Sequence, residues 1–379
     1  MFIEGYIVMK KIIVIGAGIV GASTAYHLTK LGAEVIVIDR QESFQATNAS
    51  AGIIAPWVTQ RKNKAWYFLA RSGAKFYPEL IRELEKDGQL KSGYKKVGSI
   101  NLFTKQEKVL NAKERLLKRR VEAPEIGDIT VLQPDEVRSE FPLIEDDYFA
   151  IHLSGAARVD GRALKTSLIQ AAKNNGAKII HGNAQLLFKN DRVIGVNVNK
   201  QTIETDAIIA ATGAWMRELF EPLRIPLNVF PQKGQIIHLE LPETEVTNWP
   251  VIKPPNDQYI LSLDNNRIII GATRESNSGF DSRITAGGVH KVLSSALQYV
   301  PRLSQATIVE IRVGFRPFTP NSLPVIGSIP NVKGLYLANG LGASGLTTGP
   351  FIGLQLAKLA LDEKLDIELS DYDVTQIIK

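Results

Sequence analysis

Short β-branched runs without a polar face alternate with stretches of helical periodicity at the start of the chain. Lys10–Ile15 (KKIIVI) and Glu34–Ile38 (EVIVI) read as parallel strands buried on both sides. Between them Ile19–Lys30 predicts a helix ended by Gly32, so residues 10–39 form a βαβ unit with a right-handed crossover. A helix over residues 64–87 stops at Gly88. The pattern then changes. Lys95–Thr104, Asp128–Leu132 and Tyr148–Leu153 are strand-like and are separated by charged helices at about 105–120 and 134–140.

Arg162–Asn175 is helical again. Lys178–His181 and Thr202–Ala211 (TIETDAIIAA) read as buried strands, with a hairpin over Gln185–Val198 between them. Asn228–Arg316 is strand-rich around one helix at about Gly287–Tyr299. Leu335–Ala338 is a last buried strand, and Gly345–Leu361 is a long apolar helix. This order predicts an α/β plus α+β architecture, in which a discontinuous Rossmann-type domain carries an inserted antiparallel-sheet domain. The expected division is 9–90, 152–225 and 317–379 for the first domain, and 91–151 and 226–316 for the second.

Composition narrows the function. Of 379 residues, 44% are hydrophobic and 22% charged, too apolar for a disordered chain. The net charge of +6 is spread thinly. Its densest stretch, Lys113–Arg120 (KERLLKRR), alternates with leucines at helical spacing and reads as a solvated helix face, not a nucleic-acid surface. The absence of cysteine removes disulfides, thiolate metal sites, a cysteine nucleophile and a cysteinyl flavin bond. It makes the reducing cytoplasm the expected location. No apolar run reaches the roughly 18 residues of a membrane span. Residues 1–8 read as a short extension ahead of the fold, without the features of a signal peptide. The five histidines, His27, His152, His181, His238 and His290, form no metal cluster, HExxH motif or Ser/His/Asp set. No metal is expected.

The first turn reads Gly16-Ala17-Gly18-Ile19-Val20-Gly21, with a strand before it, a helix after it, and Asp39 closing the second strand. Gly16 would allow the tight turn, Gly18 the approach of a pyrophosphate, and Gly21 close helix–strand packing. The helix N-terminus then faces the phosphates, and Asp39 suits a ribose diol while opposing an NADP 2′-phosphate. After Asp39 the alternating βαβ pattern of a nicotinamide dehydrogenase stops. In its place come the small, apolar Ala46–Val58, the strand end Thr212-Gly213, and the glycine- and hydroxyl-rich loop Gly340–Pro350 that opens the last helix. A helix N-terminus there can stabilise the negative charge of a reduced flavin. The three segments in this order favour FAD over NAD.

From Lys10 to about Leu361 the chain resembles FAD-dependent amine and amino-acid oxidoreductases of the D-amino-acid oxidase superfamily, in particular glycine oxidases and D-amino-acid dehydrogenases. The likeness rests on KKIIVIGAGIVGASTAYHLTKLGAEVIVIDR, NASAGIIAP, IIAATGAW, VGFRPFTPNSLPVIG and GLYLANGLGASGLTTGP. It implies non-covalent FAD held at Ile19, Val20, Asp39 and Arg40, at Ala46, Thr47, Ala51, Gly52 and Ile53, and at Ala184. The last contacts implied are Leu341, Gly342, Ala343, Ser344, Gly345, Leu346, Thr347 and Thr348. Arg316, in GFRPFTP, corresponds to the arginine that binds the substrate carboxylate, and Tyr259 to a tyrosine near the substrate. Arg312 lies four residues before Arg316, on the same face of a regular strand, so spacing alone does not choose between them. Glycine oxidases place a second arginine where this chain has Ala343-Ser344, and in that loop the chain looks more like D-amino-acid dehydrogenases.

The resemblance implies oxidation of the amine of glycine, sarcosine or a D-amino acid by hydride transfer to flavin N5, giving an imine that hydrolyses to an oxo acid. No residue stands out as a base. His238, on a strand of the second domain, is a candidate to face the flavin, with an ordinary strand histidine as the other reading. Oxygen or a quinone or dye would take the electrons. A quinone-linked D-amino-acid dehydrogenase, peripheral at the inner face of the membrane, is one alternative, and a flavin-binding subunit without its own catalysis another. The oligomeric state is left open.

Overall fold

A computed structural model of the protein describes residues 9–379 apart from Glu243 and Asn265, so the extension expected at residues 1–8 lies outside the described residues. Lys11–Ile15 lies inside a six-stranded sheet ordered Val325–Ser328, Leu335–Asn339, Ala207–Ala210, Lys11–Ile15, Glu34–Asp39, Lys178–His181. All neighbours are parallel except the first pair. Successive side chains serve two cores. Ile12, Val14, Val35 and Val37 pack among the helices, whereas Ile13, Ile15, Ile36 and Ile38 pack on the side of the small antiparallel sheet Gln185–Lys189, Arg192–Val198, Gln201–Glu204. Burial on both faces is why these strands carry no polar alternation. Helix Ile19–Lys30 lies against helix Gly345–Ala360, where a Cβ on Gly353 would come within 2.5 Å of Ser23 Cβ. Ser23 Oγ donates to the Pro350 carbonyl at 2.7 Å across the same contact.

The second large sheet has eight strands, ordered Thr307–Phe318, Phe230–Glu240, Arg267–Gly271, Tyr259–Leu263, Val251–Lys253, Ser99–Phe103, Phe149–Leu153, Ile129–Leu132. Only Val251–Lys253 and Ser99–Phe103 run parallel. Ile237, Leu239, Ile268 and Ile270 cover one face together with Val292 and Ala296 of helix Ala286–Leu297. The opposite face meets the turn Ala46–Ala49 and residues 51–53 that follow the first βαβ unit. The first sheet presents its carboxyl edge toward this junction, which is where open α/β sheets bind ligands.

Two expected strands are divided. Thr202–Ala211 splits at Thr205-Asp206, where Thr205 Oγ1 donates to Lys11 O at 2.7 Å and Asp206 Oδ2 accepts from Lys11 N at 2.8 Å. These side-chain bonds turn the chain, so Gln201–Glu204 joins the small sheet and Ala207–Ala210 the parallel one. Lys95–Thr104 breaks at Gly98, whose φ of +75° suits glycine. Lys95–Lys96 then pairs with Ala157–Arg158, and Ser99–Phe103 enters the eight-stranded sheet. The antiparallel edge strand Val325–Ser328 carries no strong pattern and was not expected.

Candidate active site

The glycine turn is built from three unlike constraints. Gly16 has φ +98°, and a Cβ there would sit 2.6 Å from Ala211 O on the neighbouring strand end. Gly21 packs its helix against the turn so closely that a Cβ would lie 1.8 Å from Gly16 O. Gly18 is different: a Cβ would meet nothing nearer than Thr47 Oγ1 at 3.6 Å. It caps helix Ile19–Lys30 without any side-chain bond, on the wall of a cavity also lined by Gly16, Ile19 and Val20. Thr47 Oγ1 accepts from Ile19 N at 3.0 Å and ties the following segment to this helix start. Asp39 is oriented at both oxygens, accepting from Ala17 N and Gln41 N at 2.6 Å each. Arg40 pairs with Glu42 and Glu218, each at 2.7 Å.

The same cavity continues past Ala46, Ala184 and Gly213 to Leu341, Gly342, Gly345 and Leu346, and shares the walls at Ala46, Ser50, Gly342 and Leu346 with a second cavity beneath the eight-stranded sheet. Ala51, Gly52, Ile53, Ala343, Ser344 and Thr347 line that second part. Gly52, with φ +75°, lies so close to Val159 O that a Cβ would fall 1.8 Å from it. Thr347 Oγ1 donates to Ile53 O at 3.0 Å. Gly21 and Thr348 line neither cavity; Thr348 Oγ1 bonds inside its helix to Ser344 O at 3.1 Å.

These walls fit an extended dinucleotide. Two helices begin on these walls with N-cap residues, Gly18 and Ser344, that make no side-chain cap bond, and such N-termini favour anionic oxygens. Thr212 Oγ1 on the wall is buried without any partner, a polar atom waiting for a ligand. The group whose size and charge the walls of this trough fit is FAD.

The second cavity is roofed by the sheet. Register places Arg316 across from Gln232, Gly314 across from Gly234 and Arg312 across from Ile236. The guanidinium of Arg316 lies over Gly234, where a Cβ would come within 2.5 Å of Nη2. Its Nη1 donates to Thr273 O at 3.0 Å and Gln232 Oε1 at 3.3 Å, both neutral acceptors. No carboxylate pairs with it among the described residues. Burial presses its pKa downward, yet an arginine so placed remains a cation. Tyr259 stands across from Gly271, and its Oη would be 2.6 Å from a Cβ there. Burial pushes the Tyr259 phenol up to about 12 against the opposing pull of Arg316 and Arg274.

Arg312 has another occupation. It pairs with Glu310 at 2.7 Å, donates to Asn48 O at 3.3 Å and lines neither cavity. Glu310 is held at about 2, mainly by its bond to Arg312. His238 lies on the same sheet face but across from Glu310, two pairs further along. It too lines neither cavity, and burial, helped by Arg312, lowers it to about 4. The suggestion that it faces the flavin therefore finds no wall position. His27 is enclosed between Tyr26 and Phe76. The sequence reading missed Lys253, Asn101, Trp66, Gln258 and Arg274, all on the second cavity. No local motif marks them, since they converge only through sheet register. Trp66 Nε1 donates to Ser344 Oγ at 3.0 Å, closing the wall where glycine oxidases are expected to carry an arginine.

Comparison with known proteins identifies the family and fold. The chain is 55% identical over 366 residues to the uncharacterized oxidoreductase YurR of Bacillus subtilis (strain 168), covering 96% of this chain and 98% of that protein. The iminodiacetate oxidase IdaA of Chelativorans sp. BNC1 superposes with a TM-score of 0.92 at 41% identity, over 96% of this chain and 98% of that one. Glycine oxidase of Geobacillus kaustophilus gives 0.85 at 25%, over 98% and 100%. The model of the DAO family, described as FAD dependent oxidoreductase, matches residues 11–359, and the chain belongs to that family as an FAD-dependent enzyme of amine oxidation.

Proposed function

We propose that this enzyme oxidises the C–N bond of a small amine bearing a carboxylate next to the reacting carbon, a glycine, N-alkyl glycine or D-amino acid. The observation that carries the reading is Arg316, a cation on the cavity wall whose protein partners are two neutral oxygens. The IdaA and glycine oxidase relatives are named for substrates of this kind.

Bound FAD supplies the two-electron acceptor for the hydride leaving the α-carbon. Arg316 takes the carboxylate through the edge not engaged by Thr273 and Gln232, and so fixes the direction of the α-C–H. Tyr259, neutral through the physiological range, donates a second bond to that carboxylate. The substrate amine must lose its proton first. Among the described residues Asp257 is the only carboxylate on this cavity, and it pairs with Arg274 at 3.1 Å, so an ammonium entering is desolvated without a counter-ion of its own. Its proton leaves to water. Two electrons and two protons then depart from the H–C–N–H unit, C=N forms, and water adds at carbon to release an oxo acid and an amine.

The test is anaerobic flavin bleaching of the purified holoenzyme by glycine, sarcosine, D-alanine, D-proline and iminodiacetate, with dimethylamine as the carboxylate-free control. Reduction by at least one acid and none by dimethylamine is expected. Bleaching by no carboxylate-bearing amine overturns the reading. Peroxide release against dye reduction in air identifies the electron acceptor.

A further inference from the structure

Lys253 is the last residue of strand Val251–Lys253, directly before Pro254-Pro255. Ile252 pairs with Ile260 and Lys253 with Asn101, so Lys253 stands beside Tyr259 on the sheet face that roofs the second cavity. It lines that cavity together with Arg316. It is half-buried, yet makes no hydrogen bond or ion pair among the described residues. Its ammonium is therefore neutralised by none of these residues and is open to an anion entering the cavity. Burial alone bears on its ammonium, lowering the pKa with no neighbouring carboxylate to oppose it.

The other cations on the cavity are accounted for differently. Arg274 is held by Asp257, and Lys108 projects from an exposed helix position. Two charges thus remain unbalanced on one wall, Arg316 and Lys253. A leucine or methionine at 253 would close the strand end as well, whereas the lysine gives the cavity a second cation that no carboxylate among the described residues neutralises.

We infer that Lys253 is a second anion-binding residue of the substrate cavity, so that the substrate is a small amine with a carboxylate on each side of the nitrogen, one on Arg316 and one on Lys253. This rests on the reading of the cavity as an amine-oxidising site. The guanidinium of Arg316 reaches the carbonyl of Thr273, just past the end of strand Arg267–Gly271. That strand and the strand of Lys253 are two strand spacings apart, about 10 Å. Lysine's flexible four-carbon stem can shorten this span. A compact diacid spans what is left with its nitrogen between the two cations, near Tyr259. A monocarboxylate leaves one of the two charges unmatched.

The experiment uses the holoenzyme and two matched pairs of compounds. Oxydiacetate and methoxyacetate lack the reactive nitrogen and differ by one carboxylate, and their binding is read from perturbation of the flavin absorbance. Iminodiacetate and sarcosine differ in the same way and are read by turnover. The wild-type enzyme should bind oxydiacetate about 10- to 100-fold more tightly than methoxyacetate, and show a similar ratio of kcat/KM for iminodiacetate over sarcosine. Lys253→Met should erase both ratios, mainly through Kd and KM for oxydiacetate and iminodiacetate. Lys253→Arg should keep part of the preference. The inference is overturned by a wild-type enzyme indifferent to the second carboxylate. It is equally overturned if Lys253→Met weakens both members of each pair alike, or if Arg274→Met and not Lys253→Met removes the preference. A retained binding preference with no flavin bleaching by any carboxylate-bearing amine would uphold Lys253 as an anion-binding residue and refute amine oxidation.

Discussion

Gly18 and Gly21 sit three residues apart in one turn, yet alanine should fail at them for opposite reasons. At Gly18 the backbone is extended, with φ −66° and ψ −177°, a conformation alanine adopts freely. The new methyl would find its nearest protein atom at an ordinary 3.6 Å. Loss of unfolded-state freedom favours the variant by about 0.4–1 kcal/mol, and the poorer helix cap takes back a comparable amount. The flavin-free protein should therefore melt within a few degrees of wild type. The methyl does occupy the approach to the helix N-terminus, and losing one charge-assisted bond at about 1.5–3 kcal/mol raises the Kd for FAD about 10- to 150-fold. At Gly21 the added carbon would lie 1.8 Å from Gly16 O and 3.0 Å from Gly16 C, backbone atoms with no flexible tip to give way. Helix Ile19–Lys30 must shift, at about 1–3 kcal/mol or more, so this variant loses stability with or without FAD. Flavin-stripped protein titrated with FAD by fluorescence quenching, and melted in parallel, separates the two. A Gly18→Ala protein that binds FAD within twofold of wild type would refute the cradle. A Gly21→Ala protein as stable as wild type would refute the packing argument.

Three further outcomes are expected. Arg316→Met should lower kcat/KM for any accepted amino acid by about 30-fold or more, the cost of about 2 kcal/mol or greater for removing a buried ionic partner, while the flavin-to-protein ratio stays stoichiometric. Tyr259→Phe should raise KM about tenfold without altering the shape of the pH profile between pH 8 and 10.5, because a phenol at about 12 keeps its proton throughout that window. His238→Gln should leave kcat/KM unchanged and flatten the acid side of the stability curve. With its pKa lowered from 6.5 to about 4, the buried imidazole is neutral when folded and charged when unfolded, so the unfolded state binds more protons in that window. Stability is present above pH 6.5 and falls as the pH drops toward 4, by up to about 3 kcal/mol, measurable by denaturant titration across that range.

What was legible from the chain is what local chemistry decides. The run KKIIVI has one strand's worth of residues with no polar face, and the two cores that receive Ile12 and Ile13 on opposite sides explain why. The glycine turn could be read because its three glycines lie within six residues between a clear strand and a clear helix, even though the atom that crowds Gly16 belongs to the distant Ala211. Thr202–Ala211 was read as one strand because its apolar end dominates the pattern. The bonds from Thr205 and Asp206 that bend it reach back to Lys11, nearly two hundred residues earlier, where no window can see them. Lys253 shows the same limit more sharply. Its place depends on three strands, Ser99–Phe103, Val251–Lys253 and Tyr259–Leu263, meeting in a mixed parallel and antiparallel order. A one-residue slip in either pairing would turn it to the opposite face. Edge strand Val325–Ser328 escaped for a related reason, since its four residues earn their place only by pairing with Leu335–Asn339.

The two arginines of strand Thr307–Phe318 show where function departs from local pattern. They share a face, a residue type and a strand, and alternation treats them as equals. Their surroundings do not. Arg312 meets Glu310 and the Asn48 carbonyl, so its charge is balanced within the fold and serves to fasten the Ala46–Ala49 turn beneath the sheet. Arg316 meets Gln232 and Thr273, which orient it without neutralising it. The side-chain-free positions around it, Gly234 below its own guanidinium and Gly314 against Ala49, keep the roof thin between the sheet and the trough. Holding an unbalanced cation there costs the empty protein stability, because neutral oxygens replace only part of its lost hydration. A fold selected for stability alone would place a carboxylate opposite, as it does for Arg312. On the proposed function, the carboxylate missing from the protein at Arg316 is the one the substrate brings.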